Sequence, residues 1–109
     1  MTIVARLTLK GPKIHLFLYL PVTETNRFHP EEFSYPWPVA NGTWDGGEYF
    51  AVVDYDEDTF ILALKWSDGE RTRFELRSGA LLKVGLLLRM ASTRTSRVYD
   101  IAVSELSQL

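Results

Sequence analysis

Apolar residues along this chain recur every second position and in short runs broken by turn residues, the pattern of antiparallel β-strands. Ile3-Val4-Ala5-Arg6-Leu7-Thr8-Leu9 alternates with Ile3, Ala5, Leu7 and Leu9 on one face. Lys10-Gly11-Pro12-Lys13 turns the chain, and Ile14 to Leu20 follows as an almost continuous apolar strand. Glu48 to Tyr55 and Thr59 to Trp66 read as two further strands, joined by the acidic tip Asp56-Glu57-Asp58.

The next hairpin can be read to its register. Phe60, Leu62, Leu64 and Trp66 share one strand face, and Thr72, Phe74 and Leu76 share one face of the following strand. A two-residue Asp68-Gly69 turn would set Leu64 against Arg73 and mix core with charge. A three-residue loop, Ser67-Asp68-Gly69 with Gly69 left-handed, pairs Leu64 with Thr72 and Leu62 with Phe74, and is the register expected. In Ala80 to Ala91, Gly85 argues against a Leu-rich helix and for a buried strand. The spacing of Val98, Ile101, Ala102, Glu105, Leu106 and Leu109 fits a helix, but Val98, Tyr99, Ile101 and Val103 are strand formers. The expected fold is a single all-β domain over residues 1–109: an antiparallel sandwich or partly open barrel of about seven strands. An α+β fold with a C-terminal helix is the alternative.

One segment breaks the pattern. Between the second strand and Gly47 lie Pro21, Pro30, Pro36 and Pro38, which argue against a central strand. Asn41-Gly42 and Asp45-Gly46-Gly47 read as turns, and Pro30 suits the first position of a short helical turn. The connection runs roughly 26 residues, beyond the ~12–15 at which structureless loops become uncommon and are usually functional or disordered. Seven of the chain's 14 aromatic residues fall between Asn26 and Phe50, which argues against disorder. Two roles fit them. Trp37, Trp44 and Phe33 could fold back as a lid over an open end, or some rings could stay exposed as interface anchors.

Charge sharpens the second role. The net charge of −2 hides nine acids against Arg27 alone in residues 24–58, and eight bases against three acids in residues 65–97. Attraction between the two halves is the simpler expectation; opposed acidic and basic surfaces are the other. The chain has no cysteine, excluding disulfides and thiolate metal sites. No apolar run reaches the ~20 residues of a membrane helix. Arg6, Lys10 and Lys13 interrupt the apolar start, so a soluble, cytoplasmic protein is expected.

Catalytic motifs are wanting. The two histidines are His15, inside an apolar strand, and His29, whose neighbours Glu31 and Glu32 do not give a zinc spacing. Asp54 to Asp58 opens like a calcium loop, but Thr59 replaces the required glycine and Lys65 the bidentate glutamate. Neither metal nor cofactor is expected. The reading is a non-enzymatic protein-binding module, an inhibitor or toxin-neutralising immunity-type protein. It would meet a basic partner through Phe28, Glu31, Glu32, Tyr35, Trp37, Trp44, Asp45 and Glu48, as a monomer or homodimer. The alternative is a carbohydrate- or nucleic-acid-binding module. Sugar would use the aromatic loop with Asn41, Asp45 and Glu48. Nucleic acid would use Lys65, Arg71, Arg73 and Arg77, against which the acidic balance argues.

Overall fold

The computed structural model describes residues 3–11, 13–33, 38–92 and 97–109. Among them are eight antiparallel strands: β1 (Ile3–Lys10), β2 (Ile14–Val22), β3 (Pro38–Trp44), β4 (Gly47–Asp56), β5 (Ile61–Trp66), β6 (Arg71–Glu75), β7 (Leu87–Ser92) and β8 (Val98–Gln108). Each pairs with the next, and β8 returns to β1, from Ala5↔Gln108 to Leu9↔Val103, so the sheet closes into an up-and-down barrel. Closure leaves no sheet edge to protect.

The all-β, antiparallel architecture expected from the alternation is the one observed, and the β5–β6 register is the predicted one. Leu62 faces Phe74, Leu64 faces Thr72, and Gly69 adopts φ 89° in the turn. The C-terminal segment is a strand because β7 and β1 both pair with it, which outweighs its helical spacing. Two expectations need correction. Ala80 to Ala91 is not one strand: β7 starts only at Leu87, after Gly85 turns the chain at φ +92°. The aromatic, proline-rich connection also contains β3, a central strand paired on both sides. Its proline stands at the first strand position, where a ladder N–H is least needed. Asn41-Gly42 is not a turn but the middle of this strand. The turn is Asp45-Gly46, with φ 49° and 77°, the two positive values of a tight two-residue hairpin.

An eight-stranded barrel has an interior that side chains can just fill. Leu7, Leu9, Leu18, Leu20, Leu62, Leu64 and Met90 fill it here with no exposure at all. Each such leucine contributes roughly 1.5–3 kcal/mol through burial. Small residues face large ones across the wall: Ala51 opposes Trp66, and Gly42 opposes Tyr49.

Aromatic residues close both mouths. At the mouth formed by the β1–β2, β3–β4 and β5–β6 turns, Trp44 stacks on Tyr49 (centroids 4.1 Å, 15°) and meets Trp66 edge-on at 4.8 Å. The buried Trp66 indole donates to the Thr72 hydroxyl at 3.0 Å. At the opposite mouth the β2–β3 connection folds inward. Phe28, 1% exposed, meets Tyr55 and Phe33 edge-on at 5.3 and 5.9 Å. Backbone bonds from Phe28 N to Ala80 O and from Gly79 N to Phe28 O, both 2.8 Å, clamp this plug to the β6–β7 connection.

Candidate binding face on the outside of the barrel

The residues expected to form one binding loop do not come together. Phe28, Glu31 and Glu32 belong to the plugged mouth, whereas Trp44, Asp45 and Glu48 lie at the other end of β3, whose seven residues span roughly 20 Å. Phe28 is a core residue and has no free ring to offer a partner. Trp44 is half-buried between Tyr49 and Trp66, so its first duty is to close the barrel. The lid role therefore falls to Phe28 and Phe33 at one end and to Trp44 at the other. Tyr35 and Trp37 lie outside the described residues. Glu31 and Glu32 are exposed and flank His29, whose Nδ1 is 2.8 Å from Glu31 and Nε2 3.7 Å from Glu32.

The outer face of the sheet shows what the linear reading missed. Within Ile14–Leu20 the leucines point inward, so alternation forces His15, Phe17 and Tyr19 outward. On β4 the same rule sends Glu48, Phe50, Val52, Asp54 and Asp56 outward, while Ala51 goes to the core. Phe50 is 64% and Val52 51% exposed, two large apolar residues adjacent on one strand face with carboxylates at either end.

Register aligns these strands into rows. Phe17, Asn41 and Phe50 are direct partners across β2, β3 and β4; His15, Thr43 and Glu48 form the adjacent row. Between them lies a depression of about 230 Å³, lined by these six residues with Gly42 and Tyr49. His15 packs on Phe17 at 4.7 Å, and the Arg6 guanidinium reaches the same ring from β1 at 5.5 Å. Three atoms around Phe17 are buried without a hydrogen-bond partner among the described residues: Arg6 Nε, His15 Nε2 and Asn41 Oδ1. Alternation within the apolar run was the available signal for His15 and Phe17. Nothing in the sequence aligned Asn41 with them, because its strand was not recognisable.

Electrostatics differ around the barrel. The Tyr55 hydroxyl, donating to Leu76 O at 2.7 Å, has its pKa raised first by burial and then by Glu31, Glu57 and Asp56, so carboxylates gather at the plugged mouth. Lys65, Arg71 and Arg73 share the outer face of β5 and β6, with Lys65 and Arg71 directly paired. Lys65 lies 3.9 Å from Asp54, a contact linking the acidic and basic halves of the chain. Arg77, past the end of β6, covers the Phe60 ring at 4.8 Å and approaches Glu75 at 3.4 Å.

Among the described residues no cluster of His, Asp or Glu could hold a metal ion, and no helix is long and apolar enough to cross a membrane. Compared with protein-family models, curated proteins and solved structures, the chain matches none.

Proposed function

We propose that this barrel is a non-enzymatic protein-binding module, an inhibitor or immunity-type protein, whose contact surface is the outer face of β2–β4. The observation carrying this reading is the exposure of Phe50 and Val52 between Glu48 and Asp54 on one strand. An apolar centre with a charged rim is how protein interfaces are built. Glu48 at one end of the pair favours a basic partner, while Asp54 at the other end is already met by Lys65 at 3.9 Å. A cytoplasmic site of action belongs to the same reading and rests on the absence of cysteine.

The test is capture from the native host's lysate by the wild type and by a Phe50→Ser/Val52→Ser variant with an unchanged circular dichroism spectrum. The captured protein is identified, purified and bound again. A basic protein that binds the wild type alone, in pure form, supports the module. Equal binding to both forms removes the face from the account.

A further inference from the structure

Deepening the proposed protein-binding role and resting on it, we infer that the depression between Phe17 and Phe50 is a pocket for an arginine side chain of the partner. At about 230 Å³ it is below the ~300 Å³ at which drug-sized sites begin, and suits a single side chain. Its chemistry narrows the choice. Asn41 stands between two phenyl rings in one ladder row, and its Oδ1 is unmet by any donor among the described residues and closed to solvent, so an occupant reaches it by turning the amide outward. An occupant that turns this amide outward donates hydrogen bonds to it while lying among aromatic rings. Glu48, exposed and in the neighbouring row, asks for a positive charge.

A guanidinium meets all three demands. It carries five donors and no acceptor, stacks on ring faces, and forms charge-assisted bonds with carboxylates. A lysine ammonium is a more strongly hydrated point charge and is less suited to a slot between rings. Arg6 approaches Phe17 from β1 and is not part of the lining, and its charge opposes an incoming cation. Glu48 is thus the counter-charge the pocket requires.

The experiment titrates N-acetyl-arginine methylamide into the isotopically labelled protein and follows amide resonances, with the neutral citrulline counterpart and a methyl glycoside as controls. The arginine probe shifts the Asn41 side-chain amide and the backbone amides of Phe17 and Phe50, and the controls do not. Glu48→Gln weakens the response about tenfold, and Asn41→Ala, checked for an unchanged fold, removes it. Equal response to citrulline, response to the glycoside alone, or none to arginine overturns the assignment. A partner that needs Phe50 and Val52 but is indifferent to Asn41→Ala and Glu48→Gln likewise removes the arginine pocket while leaving the binding module.

Discussion

Phe17 stands directly across the β2–β3 ladder from Asn41, and Phe50 flanks the same asparagine from β4, all on the outside of the barrel. Phe50 faces water and Phe17 lies half-buried on the outer wall, while the leucines of β2 and Ala51 of β4 occupy the interior. The two sets of aromatic residues therefore have opposite physical roles. Phe28, Trp44 and Trp66 hold the barrel shut; Phe50, with Phe17 beside it, offers surface.

That division predicts opposite responses to truncation. Phe28→Ala removes a ring that is 1% exposed and packed on Phe33 and Tyr55, and costs about 3–5 kcal/mol. Phe50→Ala removes a ring that is 64% exposed and changes stability by no more than about 0.5 kcal/mol. Urea unfolding of the two variants side by side checks both values, and comparable losses would show that Phe50 is structural.

The Trp66–Thr72 hydrogen bond joins two residues that are each 5% exposed. Thr72→Val keeps the shape but strands the indole N–H, so a loss of about 1–3 kcal/mol is expected. Because the bond spans neighbouring strands, Trp66→Phe combined with Thr72→Val is less destabilising than the sum of the single changes. A double-mutant cycle from chemical denaturation measures this coupling, and additivity would mean the bond contributes nothing.

Gly42 faces the interior where a Cβ would press on the end of Leu16, 3.2 Å from the His15 carbonyl oxygen and 3.3 Å from the Trp44 ring. The leucine can swing aside, but the backbone oxygen cannot. Gly42→Ala is expected to lower stability by about 1–3 kcal/mol and to loosen the Trp44–Tyr49 stack. Thermal unfolding and near-ultraviolet circular dichroism report the two effects, and wild-type values in both would refute the close approach.

Alkaline pH offers a further test. Burial, followed by Glu31, Glu57 and Asp56 for Tyr55 and by Glu70 for Tyr99, raises both pKa values above the ordinary 10.0. The folded chain therefore keeps protons that the unfolded chain releases. This stabilisation is fully present below about pH 10 and is lost as pH climbs through the folded pKa values. Tyr55→Phe loses the hydrogen bond to Leu76 O, costing about 1 kcal/mol at neutral pH, yet its stability falls less steeply in alkali. Urea midpoints measured from about pH 7 to about pH 11 show this, and parallel curves for variant and wild type would exclude Tyr55 as a source.

Sequence reasoning succeeded where one face had to avoid charge. The pairing of Leu62 with Phe74 was legible because the competing register placed Leu64 against Arg73. It failed at β3, where the features marking the strand look like those of a turn. Asn41-Gly42 is turn chemistry in isolation, and the reason for Gly42, a close approach by Leu16 and Trp44, comes from distant residues. Missing β3 hid the candidate face as well. Without it, Asn41 had no neighbours, and Glu48 was grouped with Glu31 and Glu32 when a whole strand length separates them. In Ile14–Leu20 the apolar character is legible in the sequence, but a run apolar on both faces does not announce that one face is outside.

The central claim is that the β2–β4 outer face, and no other apolar surface, meets the partner. It is tested most directly by titrating one purified partner against two double variants. Phe50→Ser/Val52→Ser alters this face. Leu87→Ser/Val98→Ser alters residues that are each 62% exposed on β7 and β8, across the barrel. The first is predicted to lose at least about thirtyfold in affinity, the scale of an interface hot spot, and the second to bind as the wild type does. Undiminished binding by the first variant, or loss confined to the second, would contradict the account.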